Sequence, residues 1–351
     1  MNRLALRRVL APVAALALAT TLAGCAGDGG TISGGGSSAQ EAAMAAFRAG
    51  FQTANPSLTV NYEPIGSGGG REQFISGGYP FAGTDSALDE EELASGLDIC
   101  GAPPIEIPNY ISPIAVIYNL PGVEGLRLNG ETIAGIFAGE IESWDDPAIA
   151  ATNEGVDLPA ETITPVHRSD ESGTSENFTA YLAAVGPDTW THGEVGEWPI
   201  NDGEAAQGTA GVVDAVRNGT GTIGYADASQ AGRLSVARVK VGDDYVGPSA
   251  RAAARILEVS PRAEGRPESS MAVELDRATE EAGAYPIVLT SYVVACPAYE
   301  NARTAELIRA FLSYVVSADG QQMSAEHAGS APLSPSLAEE AQGLIDQITH
   351  S

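Results

Sequence analysis

Lysine is almost missing from this chain. Its 351 residues include one, Lys240, and its 18 basic side chains stand against 46 acidic ones, for a formal net charge of −28. A chain that acidic is excluded as a general nucleic-acid binder, because displacing counterions from a phosphate backbone needs clustered Lys and Arg. Histidine is sparse too: His167, His192, His327 and His350 have no metal-ligand spacing with one another or with cysteine, which argues against a metal centre. No segment reads GxxxxGK[ST] or GxSxG, so neither a P-loop nor a nucleophile elbow is present. What the chain does have is 44% hydrophobic and 18% charged residues, enough apolar content for a sizeable core and unlike a disordered polymer. The length favours two domains over one, and 41 glycines imply many tight turns or close backbone approaches.

An apolar run without charge, Val9 to Ala23, follows a basic start carrying Arg3, Arg7 and Arg8. It is short for a membrane span and reads as a secretory signal. The run ends at Leu22-Ala23-Gly24-Cys25, which resembles a bacterial lipobox, so residues 1–24 are expected to be removed and Cys25 to be lipidated. Removal would take three arginines and no acid, leaving a charge of −31. Residues 25–30 then form the lipidated cysteine and a short tether. Of three cysteines, Cys100 and Cys296 remain, 196 positions apart. In an exported protein an even pair suggests one disulfide; two separate buried thiols are the alternative.

Along the mature chain, short apolar strands alternate with amphipathic stretches. Strands are expected near Thr31–Ser33, Leu58–Tyr62, Tyr110–Asn119, Thr162–Val166, Thr222–Tyr225 and Ala284–Ala295. Helices are expected over Ala39–Thr53, Gly70–Ser76, Thr132–Ala138, Asp146–Thr152, Glu176–Ala184, Val212–Asn218 and Ala302–Ser317. Ser38-Ala39-Gln40-Glu41 matches a capping box at the first helix. This alternation gives an α/β fold. Residues 260–283 are polar and proline-containing and read as a surface excursion, with a disordered loop as the alternative.

The most informative feature is a recurrence of Gly- and hydroxyl-rich loops ahead of helices: Gly34-Gly35-Gly36-Ser37-Ser38, Gly66-Ser67-Gly68-Gly69-Gly70, and Arg168-Ser169-Asp170-Glu171-Ser172-Gly173-Thr174. A helix start offers unpaired N–H groups and a partial positive charge, glycine lets backbone come close, and hydroxyls add donors. A single such loop is no more than a turn with an N-cap; three together, one with an arginine, point to an oxyanion.

These loops, with Phe81-Ala82-Gly83-Thr84-Asp85 and Ser172-Gly173-Thr174-Ser175, resemble the PstS family of phosphate-binding lipoproteins that serve phosphate ABC transporters. Ile136-Phe137-Ala138-Gly139, Trp144-Asp145-Asp146 and Gly221-Thr222-Ile223-Gly224-Tyr225 extend the similarity over residues 31–335. The resemblance implies a two-lobed periplasmic-binding-protein fold of type II, with ligand between lobes joined by two hinge crossings. One lobe would comprise residues 31–115 and 290–351, the other 116–289, which places Cys100 and Cys296 in one lobe. It further implies that Ser38, Ser67, Ser172 and Thr174 give hydroxyl hydrogen bonds to phosphate, that backbone N–H groups of Ala39, Gly173 and Thr174 donate as well, and that Arg168, oriented by Asp170, supplies the cation. Asp85 would accept a hydrogen bond from the protonated ligand.

That last role has a physical basis. An ionised carboxylate can only accept, so beside an anion it repels unless the ligand brings a proton, as hydrogen or dihydrogen phosphate does and sulfate does not. The resemblance implies phosphate capture outside the cytoplasm and delivery to an ABC permease, and the expectation is a membrane-anchored monomer without cofactor, metal or catalytic activity. Two other readings are kept: a receptor or sensor for another protonated oxyanion or a phosphonate, and a secreted phosphatase with Ser172 as nucleophile. Two positions depart from the family pattern. Ala39 stands where a bulky aromatic is common, and Glu171 stands where glycine is common and is expected to point to solvent.

Overall fold

The structure, a computed structural model, describes residues 29–351. The expectations for the leader and for Cys25 lie outside the described residues. The chain is α/β. Among the described residues a nine-stranded mixed sheet runs in the order Leu58–Glu63, Gly30–Gly36, Phe81–Thr84, Val288–Ala295, Ile105–Asn119, Thr222–Asp227, Thr164–Arg168, Glu204–Ala206, with Ser235–Val236 paired beside Ile105–Asn119.

One strand joins the two halves of this sheet. Ile105–Asn119 is 15 residues long and buried along almost its whole length, as a near-continuous run of Ile, Val and Tyr requires when both faces are covered. Its beginning pairs antiparallel with Val288–Ala295, and Ile114 to Asn119 pair antiparallel with Thr222–Asp227. Pro108 has no N–H to give, and the register slips between Ser291 and Tyr292 opposite it, leaving Asn109 as the extra residue of a bulge. Asn109 turns its side chain to Gln40 Oε1 at 2.9 Å, while its carbonyl accepts from Gln321 at 3.0 Å. The bulge thus ties the crossing strand to the start of the first helix.

Most expected elements are present, longer or shorter by a few residues. Gly30–Gly36 extends as strand through the three glycines that the sequence suggested were loop. A Cβ on Gly34 would lie 2.6 Å from Phe81, and one on Gly36, whose φ is +139°, would lie 1.9 Å from the Gly83 carbonyl oxygen. Glycine here serves strand packing, and the loop proper begins at Ser37. Asp146–Thr152 contracts to a single turn, Pro147–Ala150. The helices Glu90–Cys100, Ala250–Val259, Ala318–Ala328 and Pro335–Ile345 were not anticipated, although Asp89 and Glu92 form a full capping box ahead of the first of them.

The capping box expected at Ser38 does not form. The helix Glu41–Ala54 begins after Gln40, two residues later than the box requires and without a side-chain cap, and Ser38 Oγ meets Thr209 instead. Ser37 Oγ accepts from the N–H of Ala39 at 3.1 Å and of Gln40 at 3.3 Å, a turn just ahead of the helix. Cys100 and Cys296 form a disulfide, tying the end of the helix Glu90–Cys100 to the residue after the second crossing strand. Residues 260–283 are a surface excursion, but an anchored one. Met271 is buried, Arg266 pairs with the fully buried Glu106 at 2.5 Å, and Arg277 donates to Asn177 Oδ1. Those ties leave no room for the disordered alternative.

Candidate functional site

The three loops that stand apart in sequence come together where the sheet halves meet. Ser37 to Gln40 follow the strand Gly30–Gly36, Ser67 opens the helix Ser67–Ile75, and Asp85 follows the strand Phe81–Thr84 in the first half. Arg168 ends the strand Thr164–Arg168, and Ser172 caps the helix Gly173–Val185 in the second. Ser38, Ala39, Ser67, Asp85, Arg168, Ser172, Gly173 and Thr174 are all buried.

Asp85 is the centre of the arrangement. Its Oδ2 accepts from Ser37 Oγ at 2.6 Å and lies 3.5 Å from both Ser67 Oγ and Thr174 Oγ1, so hydroxyls from both halves of the sheet face one oxygen. Its Oδ1 accepts from Ser291 Oγ at 2.7 Å and from Gln40 Nε2 at 3.4 Å. Ser67 Oγ in turn accepts from the Asp85 N–H at 3.2 Å, and the Asp85 carbonyl accepts from Asn177 Nδ2 at 2.7 Å. Burial pushes the Asp85 carboxyl above its ordinary range; the hydroxyls of Ser37 and Ser291, the Arg168 charge and Gln40 pull it back only in part.

Arg168 is held from the side. Its Nε donates to Asp170 Oδ1 at 2.8 Å and its Nη2 to Asp170 Oδ2, a bidentate grip of the kind a planar guanidinium favours. Burial raises the Asp170 carboxyl, but the hydrogen bond and charge of Arg168 and the Gly208 N–H outweigh it and hold Asp170 below its ordinary range. The Arg168 N–H donates to the Tyr225 hydroxyl at 3.3 Å, which also bonds Ser175 Oγ at 2.6 Å. Tyr225 stacks on Phe178 with ring centroids 4.3 Å apart. Trp144 Nε1 donates to the Gly221 carbonyl at 3.0 Å, so two of the supporting sequence motifs touch each other and brace the arginine's half.

A fourth helix start also reaches the site. Ser38 Oγ meets Thr209 Oγ1 and accepts from the Thr209 N–H, both at 3.1 Å, at the first turn of the helix Gly208–Asn218. Gln230 Nε2 closes over the same turn, donating to the Ser38 carbonyl at 2.8 Å. Sequence reasoning missed Ser37, Gln40, Asn177, Thr209 and Ser291. Gly208-Thr209 carried the same glycine-then-hydroxyl signal as the other loops, and Thr290-Ser291 is a hydroxyl pair inside an otherwise apolar strand. Between Ser37 and Ser38 the sequence had no basis for a choice.

Glu171 does not point to solvent. Its carboxylate is partly buried and pairs with Arg71 Nη2 at 2.9 Å across the cleft. Ser172 Oγ accepts from the Ser175 N–H at 3.2 Å, as an N-cap does. His167, the histidine nearest Ser172 in sequence, has its Nδ1 2.9 Å from the Arg168 carbonyl oxygen and stacks its ring on Trp198 at 5.0 Å. A base for Ser172 is therefore not supplied by that residue.

Residues 23–319 match the family model of the PBP superfamily domain. The chain is 37% identical over 298 residues to the phosphate-binding protein PstS3 of Mycobacterium bovis, covering 82% of this chain and 79% of that protein. It is 33% identical over 321 residues to PstS2 of the same species, covering 90% and 86%. Among solved structures, a high-affinity periplasmic phosphate-binding protein, PfluDING, bound with phosphate, superposes with a TM-score of 0.72 at 23% identity, covering 89% of this chain and 93% of that one. A phosphate-binding protein from Stenotrophomonas maltophilia superposes with a TM-score of 0.67 at 20% identity, with the same coverage. These two neighbours share the type II fold.

Proposed function

The chain belongs to the PBP superfamily, among the PstS phosphate-binding proteins, and from that membership and the cleft we propose that it captures inorganic phosphate outside the cytoplasm and delivers it to an ABC permease. The observation that carries this reading is the crowding of Ser37, Ser67 and Thr174 around Asp85 Oδ2, beside an arginine whose fork is fixed by Asp170. Hydroxyls donate to an oxyanion, Arg168 supplies charge, and a carboxylate among them tolerates only a ligand that carries a proton. Ser38, Ala39, Ser67, Asp85, Arg168, Ser172, Gly173 and Thr174 are assigned as the phosphate set.

The Ser38 hydroxyl and the Ala39 N–H are satisfied within the protein, by Thr209 and Ser37. Engaging phosphate requires both to exchange those bonds for the ligand. Ligand holds the halves closed, and the crossing strands Ile105–Asn119 and Val288–Ala295 are assigned as the hinge between residues 31–115 with 290–351 and residues 116–289. Cys25 anchors the protein as a lipidated monomer; among the described residues no helix is long and apolar enough to cross a membrane. Binding and release are the whole activity, with no bond made or broken.

The test is calorimetry with phosphate, arsenate and sulfate. Phosphate is expected to bind, arsenate to compete and sulfate in large excess to fail. Asp85→Asn should admit sulfate while weakening phosphate by about ten- to a hundredfold, the span of one charge-assisted hydrogen bond. Arg168→Ala should weaken every oxyanion alike. Tight sulfate binding to the unmutated protein would overturn the assignment.

A further inference from the structure

The residue that breaks the family pattern, Glu171, turns into a niche between the halves, where its Oε2 is buried without a hydrogen-bond partner. Its Oε1 accepts from Arg71 Nη2 at 2.9 Å, and these two side chains come from opposite halves of the sheet. Arg71 is itself fixed from the other side: its Nε donates to Glu92 at 2.7 Å, and its Nη1 donates to Thr84 Oγ1 at 3.0 Å and Ser86 Oγ at 2.9 Å. The guanidinium is buried and its pKa is raised: burial acts against the charge, and the nearby carboxylates of Glu171 and Glu92 more than restore it.

Two glycines make the room. A Cβ on Gly68 would fall 1.5 Å from Glu171 Oε2, and one on Gly196 would fall 2.4 Å from Oε1. Gly68 lies in the first turn of the helix Ser67–Ile75, so the carboxylate rests against the positive end of that helix. Gly66, at φ +95°, packs on the same segment; a Cβ there would be 2.9 Å from the Glu171 carbonyl oxygen. The loop 66–68 therefore docks on residues 170–171, and one ion pair spans the seam.

We infer that Arg71 and Glu171 form a charged latch across the cleft that slows release of the bound oxyanion. The inference rests on the phosphate reading above. Glu171 brings a negative charge near an anion site, and Arg71 neutralises it only when the halves meet. Closure then gains an ion pair that opening must break. Arg71 and Glu171 are positioning residues: they are assigned to the closed form and not to ligand contact.

The test follows release of radiolabelled phosphate, chased with unlabelled phosphate, from the full chain. Glu171→Gln is expected to release about tenfold faster, the size of one partly buried ion pair. Arg71→Gln should lose at least as much, because it strands a carboxylate beside the anion. The double variant should be no worse than Arg71→Gln alone. Effects that multiply would overturn the latch. Arg71 also ties Glu92, Thr84 and Ser86, so a second pair guards against misfolding. Gly68→Ala evicts Glu171 from its niche and should speed release in the wild type, yet add nothing in a Glu171→Gly background; equal effects in both backgrounds would overturn the latch. A wild type that takes up no phosphate overturns the phosphate reading and the latch with it, whereas a wild type that binds, with independent effects, overturns the latch alone.

Discussion

Glu176 lies in the first turn of the helix Gly173–Val185, close behind the site, with its Oε2 buried and unpartnered. Burial raises its carboxyl from 4.5 to about 7; Ser86 and Arg71 oppose the rise, and Glu194 and Glu171 add to it. A carboxyl that holds its proton more tightly when folded contributes stability below about 4.5, and that contribution is lost as pH climbs to about 7. Glu176→Gln should remove this loss. Thermal melts at pH 5 and pH 8 should show the wild type falling more than the variant, with a gap at pH 8 of up to about 3 kcal/mol. Parallel melts would mean Glu176 finds a partner or solvent when ionised. At this scale the sequence was partly readable. Asp85, Arg168 and Asp170 were legible through the family resemblance that their short motifs carry, whereas the Arg71–Glu171 pair links positions a hundred residues apart and left no trace in spacing.

The helix Gly173–Val185 combines two tasks in one residue. Ser172 Oγ satisfies the Ser175 N–H, and the same hydroxyl is assigned to the ligand. Ser172→Ala should cost about 1 kcal/mol of stability, the usual worth of a cap, and weaken phosphate binding as well. Ser172→Gly separates the two. Glycine at an N-cap costs only a few tenths of a kcal/mol against serine, so the melting temperature should nearly hold, but the hydroxyl is gone and binding should weaken. Paired melting and titration of the two variants checks this; loss of stability in both would deny the cap. Elements were legible where apolar periodicity was strong, as in Ala302–Val316, found within one residue of its expected end. Ala318–Ala328 was not, because its buried face is made of Gly, Gln, Ser and Ala, and only contact with the rest of the chain makes that face a core.

The whole molecule is held by one covalent tie over a long loop. Cys100–Cys296 encloses 196 positions, and loop-closure entropy puts its contribution at about 5 kcal/mol. Reduction, or Cys100→Ser with Cys296→Ser, should lower the melting temperature by several degrees while leaving oxyanion preference intact, since the bridge lies outside the phosphate set. The net charge of −28 acts at this scale as well. It opposes an arriving anion from a distance and is screened beyond about 8 Å at physiological ionic strength. Added salt should therefore speed phosphate association in stopped-flow traces and barely change the preference over sulfate. Rates that fall with salt would show that local positive charge, and not the overall field, steers entry.

The sequence by itself determined the α/β alternation and the glycine- and hydroxyl-rich loops ahead of helices, and its resemblance to the family singled out Asp85 and Arg168. Each of these is written in contiguous residues. Only the tertiary structure decided which serine of the first loop faces Asp85, that Ser291 also donates to Asp85 while Thr209 meets Ser38, and that Glu171 turns inward to Arg71. Those outcomes depend on which strands lie side by side. The sheet brings residue 85 beside residue 291 and residue 38 beside residue 209, and hydrogen bonds across such separations are fixed by packing, which no single stretch of chain encodes.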